Sequence, residues 1–226
     1  MITAKKSKWF ERFYTIYNRN LLKRCFNSVR VSGFDICSNL KLSESLVIYT
    51  NHSAWWDGLV AFEISRLAKL DSFIMMEEKH LKKLFLFRRL GAFSVVREKP
   101  REATKSIDYA AKLLGENSNK TVWIFPQGEI LPNDRRPLRF YGGLSKLVEK
   151  VGMVSVLPIA MRYEFLNDFK PEIFVKIGKT EEFIEAGKNR NTKNMTAHFA
   201  ENLTFLLDDL KAEIRNGDFQ NFEKII

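Results

Sequence analysis

Short apolar runs alternate along this chain with amphipathic stretches of helical length, and that alternation restricts the available folds more than any other feature. Residues 28–37, 46–50, 73–76, 92–96, 121–125, 154–161 and 172–177 read as strands. The run 121–125 is short and apolar, the pattern of a strand buried on both faces. Residues 55–70, 77–90, 100–114 and 142–151 read as helices between them, and 192–215 as a long terminal helix. Pro100 suits the first turn of its helix, because proline fixes φ and lacks the amide that a first turn leaves unpaired. The order predicts an α/β chain: a single layered domain with a mostly parallel central sheet flanked by helices. A chain of 226 residues fits one such domain, and no repeat, low-complexity tract or linker divides it.

Residues 8–28 stand before the alternation and read as an N-terminal amphipathic helix. Trp9, Phe10, Phe13, Tyr14, Ile16, Tyr17, Leu21 and Leu22 recur at three- and four-residue spacing, with Lys8, Arg12, Arg19, Lys23 and Arg24 between them. Aromatic rings on one side and basic residues on the other suit a helix lying in a lipid headgroup layer. The same pattern suits a helix packed by its aromatic side on the domain. The division expected is residues 1–28 as a membrane-surface helix and 29–226 as the layered domain.

Charge sharpens the expectation of an anionic partner. The net charge is +10, and it is concentrated: residues 1–30 hold eight Lys/Arg against Glu11 alone, and residues 79–105 hold nine against Glu98 and Glu102. Such blocks attract lipid headgroups, nucleic acid or a phosphorylated cofactor, or they are simply solvated faces. Nucleic acid is disfavoured, since neither zinc-finger spacing nor an RNA-recognition signature is present. Cys25 and Cys37 form no disulfide framework or zinc pattern, which suggests a reducing compartment. The first eight residues lack the apolar stretch of a signal peptide, and no run of about 18 apolar residues occurs. A peripheral protein on the cytoplasmic face of a membrane is expected.

The chemistry concentrates in Asn51-His52-Ser53-Ala54-Trp55-Trp56-Asp57-Gly58. His52 is one of three histidines and falls at a strand end; Asp57 follows where a helix should begin. If the loop turns back, the carboxylate orients the imidazole, leaving its other nitrogen as a base. His80 reads as exposed, His198 has no partner legible in the sequence, and no pair of histidines has metal-ligand spacing.

This segment resembles the first motif of the glycerophosphate and lysophospholipid acyltransferase family: asparagine and histidine, then aspartate after four residues. Gly91 to Arg97 is similar to a second block, Phe125-Pro126-Gln127-Gly128-Glu129-Ile130 to part of a third, and Val156-Leu157-Pro158-Ile159 to a fourth. The resemblance covers residues 51–160 in family order. It implies an acyltransferase domain in which His52, paired with Asp57, deprotonates a hydroxyl that attacks an acyl thioester directly. The donor would be acyl-CoA or acyl carrier protein, with no tightly bound cofactor and no metal, and the acceptor a lysophospholipid, glycolipid or other lipid-like alcohol. Backbone amides near Gly128 are candidates to stabilise the oxyanion.

The third block departs from the family where an arginine binds the acceptor phosphate, a position held here by Ile130. Either Arg97, Arg135, Arg136 or Arg139 supplies the charge, or the acceptor lacks a simple phosphate, with Gln127 and Glu129 bonding its hydroxyls. A divergent structural loop is the plain alternative. Lys82, Lys83, Arg88 and Arg89 are candidates for the donor's phosphates, an acidic carrier protein or the membrane, and Trp55 and Trp56 for the acyl chain. Competing readings of the whole chain are a non-catalytic lipid-binding protein on the same fold and a hydrolase using His52 and Asp57 on water.

Overall fold

The computed structural model describes residues 1–39, 45–116, 119–183 and 191–226. The chain opens with helix α1 (Lys8–Cys25), capped by the Ser7 hydroxyl, which accepts from the Phe10 amide. Strand β1 (Ser28–Ser32), helix α2 (Phe34–Asn39), β2 (Leu46–Thr50), α3 (Asp57–Leu67) and β3 (Asp71–Glu77) follow. Then come α4 (Glu78–Lys83), a 3-10 segment (Phe85–Leu90), β4 (Ala92–Val95), α5 (Pro100–Glu116) and β5 (Lys120–Ile124). The remainder is α6 (Gly143–Val151), β6 (Val154–Glu164), β7 (Glu172–Ile177), β8 (Glu181–Phe183), α7 (Thr192–Asn216) and β9 (Phe222–Lys224).

The described strands form one sheet in the order β4-β3-β5-β2-β6-β7-β1-β9, with β8 paired to β6. Pairing is parallel from β4 through β6 and antiparallel at β6–β7, β6–β8 and β1–β9. The chain is therefore α/β with a mostly parallel sheet flanked by helices. Every residue of β2 is buried, as continuous apolar composition requires at the centre of a sheet. Its alternate side chains enter different cores. Val47 and Tyr49 pack with α5, α6 and α7, whereas Leu46 and Ile48 pack with α3 and the end of α1.

Two local expectations fail, and two short strands were not expected. The run 28–37 is not one strand: Gly33 has φ +75°, a conformation that L side chains resist, and the chain turns there into α2. A β-carbon on Gly33 would stand 2.8 Å from the Ile177 carbonyl oxygen, so close approach to β7 also requires glycine. The run 77–90 is not one helix but α4 and the 3-10 segment, broken at Leu84 and ended by Gly91 in the left-handed region. Strands β8 and β9, of three residues each, carried no periodicity long enough to announce them.

Helix α1 packs one face on the domain, as its pattern allowed, and leaves another face exposed. Phe10, Tyr14, Asn18 and Leu22 are buried, while Trp9, Phe13, Ile16 and Tyr17 are exposed. Tyr14 meets Phe62 and Phe87 edge-on, and the Asn18 amide donates to the Leu59 carbonyl at 3.2 Å. Leu22 and Phe26 belong to the core beneath the sheet.

Candidate active site

Strands β2, β3, β4 and β5 run parallel, so their carboxyl ends share one edge of the sheet, where loops of such folds collect reactive groups. Asn51 and His52 leave β2 there, Phe125 to Gly128 leave β5, and Arg97 follows β4. Asn51 fastens this edge. Its side-chain amide donates to the Met161 carbonyl and accepts from the Met161 amide, each at 2.9 Å. Gln127 does the same for His52, its Oε1 accepting from the His52 backbone N–H at 2.7 Å.

Asp57 is the first residue of α3, and its side chain is wholly buried. Oδ2 lies 2.7 Å from Nδ1 of His52 and accepts from the amides of Ser53 and Ala54 at 2.7 and 2.9 Å. Oδ1 accepts from the Tyr163 hydroxyl at 2.6 Å. These donors take the place of water around a buried carboxylate, which would otherwise be costly to keep ionised. With Nδ1 directed to a carboxylate, the imidazole presents Nε2 outward. The ring keeps 24% of its side-chain surface exposed and rests 4.7 Å from the Phe125 ring.

His52 borders a cavity of about 1090 Å³. Its apolar wall includes Leu59, Phe62, Ile74, Met76, Phe87 and Leu90. Its lining also carries polar groups, among them Arg97, which lies against Gly128 and Tyr141, and Glu129. Arg97 lies 3.5 Å from Glu77 and 5.4 Å from the Tyr141 ring centroid. Burial alone would raise the Glu77 carboxyl, but Lys79 and Arg97 outweigh it and hold Glu77 below the usual carboxylate range. Among the described residues, no group of three or more His, Cys, Asp or Glu side chains is placed to hold a metal ion.

The profile of the family described as Acyltransferase matches residues 28–162, more than half of the 226-residue chain. The chain belongs to the acyltransferase family. Comparison with curated proteins gives no match. Family membership supports acyl transfer in general, and the matched span includes His52, Asp57, Arg97 and the whole β5–α6 connection.

The remaining candidate residues of this acyltransferase divide by position. Trp55, Lys83, Arg97, Gly128 and Glu129 line the cavity with His52. Gln127 is buried and committed to the His52 backbone. Trp56 packs edge-on against Phe26 at 5.0 Å. Arg136 bonds the Asn133 carbonyl and pairs with Asp208, while Arg135 and Arg139 are exposed away from the cavity lining. Lys82 pairs with Glu78 at 2.9 Å, and Arg88 and Arg89 lie over Phe85 and Phe10. The Gly128 amide, a candidate oxyanion donor, instead donates to the Phe125 carbonyl at 3.0 Å and closes the turn.

His80 is 52% exposed, as its surroundings suggested. His198, which had no partner legible in the sequence, lies 2.7 Å from Glu181 across 17 residues. Sequence reasoning missed Tyr163 altogether. It lies 106 residues from Asp57, inside a strand, and no spacing rule connects the two. No helix among the described residues is long and apolar enough to cross a membrane.

Proposed function

We propose that this chain moves a fatty acyl group from an acyl thioester, carried by coenzyme A or acyl carrier protein, to a hydroxyl of a lipid-like acceptor at a membrane surface. The observation that carries this reading is the 2.7 Å contact of His52 Nδ1 with buried Asp57, at the rim of a cavity of about 1090 Å³ with a largely apolar wall. Nε2 takes the proton of the acceptor hydroxyl as its oxygen attacks the thioester carbonyl carbon. Asp57 stabilises the imidazolium that forms. The tetrahedral intermediate collapses with cleavage of the C–S bond, and the thiolate leaves with a proton from the imidazolium. A positioned base of this kind contributes about 10²–10⁴ in rate.

The polar groups of the cavity lining favour an acceptor without a simple phosphate. Ile130 lies on the lining and offers no charge, and of the four candidate arginines only Arg97 lines the cavity, already balanced by Glu77. Glu129, also on the lining, would repel a phosphate and accept bonds from hydroxyls. A glycolipid or other hydroxylated lipid suits those groups. The exposed rings of Trp9, Phe13 and Tyr17, flanked by Arg12 and Lys8, favour docking on an anionic surface.

The test is incubation of purified protein with labelled acyl-CoA or acyl carrier protein and a membrane-lipid extract, with products identified by mass spectrometry. Wild-type protein should form a new acylated lipid and His52→Ala should not. Equal product from both would end the assignment of His52; lipid binding without product from either would favour a binding protein.

A further inference from the structure

We propose that Tyr163 is a positioning residue that sets how strongly Asp57 holds the proton of His52. The inference rests on the reading of His52 as the base, and it adds to that reading a residue from outside the His52–Asp57 segment.

Strand β6 continues past the end of its parallel neighbour β2, because Thr50 pairs with Ile159 while β6 runs on to Glu164. That overhang carries Tyr163 above the first turn of α3. Two anchors fix its position. Asn51, directly before His52, bonds both backbone groups of Met161, two residues upstream. Phe26, after α1, packs at 5.9 Å from the phenol ring. The hydroxyl then reaches Oδ1 of Asp57 at 2.6 Å, whereas His52, Ser53 and Ala54 all address Oδ2. Among the described residues, Tyr163 is the donor found on Oδ1. Burial, with the charge of Asp57 and the hydrogen bond to it, pushes the phenol far above its ordinary range, so it remains a proton donor at any working pH.

A donor on Oδ1 draws negative charge away from Oδ2 and weakens the pull of the carboxylate on the imidazole proton. Without the hydroxyl, Oδ2 becomes the stronger acceptor, and His52 keeps its second proton to higher pH. Less of the neutral base is then present at a given pH. Other charged groups line the cavity that His52 borders, among them Glu129 on the β5–α6 connection, Arg97 with its partner Glu77, and Lys79, His80 and Lys83 on α4. Glu63 on α3 is paired with Arg66 at 2.6 Å, and Arg162 next to Tyr163 is paired with Asp134 and Glu164. None of these pairs involves the phenol, so the variant leaves them in place.

The test uses the full chain labelled with 15N-histidine; the chain has three histidines, and the signal lost in His52→Ala assigns the His52 ring. Titration of wild type, Tyr163→Phe and Asp57→Asn reads the His52 midpoint without any substrate. The expected result for Tyr163→Phe is a midpoint about half a pH unit higher, roughly a threefold shift in proton affinity, with Asp57→Asn moving it lower. In the acyl-transfer assay, the acid limb of kcat/KM should move up with it, while KM for the thioester stays within about twofold. An unmoved or lowered midpoint in Tyr163→Phe would overturn the proposal, whatever happens to activity or thermal stability. Should Tyr163→Phe fail to fold, 3-fluorotyrosine at position 163 keeps the ring and provides a stronger donor. Its expected shift is downward, and an unchanged midpoint overturns the proposal equally. Wild-type protein that forms no acyl product, yet shows these shifts, would sink the proposed reaction and leave the coupling standing.

Discussion

Arg97 lies against the backbone of Gly128 so closely that a β-carbon on the glycine would stand 2.7 Å from Nη1. Gly128 has φ +70°, the left-handed region that favours glycine, and the same β-carbon would meet Tyr141 at 3.0 Å. The turn after β5 and the loop after β4 thus close one wall of the cavity together. Gly128→Ala is expected to lose about 1–2 kcal/mol of stability to backbone strain, and to lose more in kcat/KM because Arg97 must move. Thermal unfolding read beside the transfer assay checks this. An alanine variant with unchanged kcat/KM would remove Arg97 from the site.

Asp57→Asn should lower kcat by about 10²–10⁴, since the amide cannot stabilise a protonated His52. Stability should fall too. The Asn side chain can accept through only one atom where the carboxylate accepts from four donors through two. Steady-state kinetics with the labelled thioester, together with a denaturant melt, separates the two effects.

The face of α1 that points away from the domain can be tested without disturbing the face that packs. Trp9 and Phe13 are 72% and 57% exposed, so Trp9→Glu with Phe13→Glu should leave the melting temperature nearly unchanged and sharply weaken binding to anionic vesicles. Wild-type binding should itself decline with salt. Tyr14→Ala should instead destabilise by about 3 kcal/mol, because that ring is buried against Phe62 and Phe87. Vesicle sedimentation at two salt concentrations provides the readout.

Ile130 is half exposed on the cavity lining, so Ile130→Arg should be accommodated without loss of fold. It should shift acceptor preference toward phosphorylated lipids. Competition between a lysophospholipid and a neutral hydroxylated lipid measures the shift. No change in preference would return this turn to a purely structural role.

Asp134 predicts a particular acid sensitivity. Hydrogen bonds from Lys211 and Arg162 lower its carboxyl from 3.8 to about 2. A depressed folded-state value means that the stabilisation is present above the unfolded value and is lost as pH falls from about 4 to about 2. Asp134→Asn should therefore melt lower than wild type at neutral pH, and the difference should shrink through that window. The residue is 57% exposed, so solvent screening keeps the effect small. Its neighbour Asn133 accepts from the Asn51 amide at 2.9 Å, which places this ionic anchor one contact from the loop bearing His52.

Much of the architecture was legible because burial leaves a local signature. A short apolar run marked β5 as a buried strand, residues 46–50 read as a strand, and α7 was legible as a long terminal helix. The runs 28–37 and 77–90 misled because Gly33 and Leu84 break them by backbone conformation, which hydrophobic pattern does not record. At the site, His52 and Asp57 were legible together, since the four residues between them are enough to fold one onto the other. The buried position of Gln127 was not. Its polar side chain reads as a ligand-facing group, but the His52 backbone amide needed an acceptor and took it.

The amino-acid sequence by itself determined the order of elements, the strand ends at which chemistry gathers and the pairing of histidine with aspartate, all properties of residues close along the chain. Tertiary structure alone decided which oxygen of Asp57 serves His52 and which serves Tyr163, which arginine reaches the cavity, and which side of α1 remains uncovered. Those outcomes depend on strand register and on packing between segments as much as 106 residues apart, and short-range spacing carries no information about either.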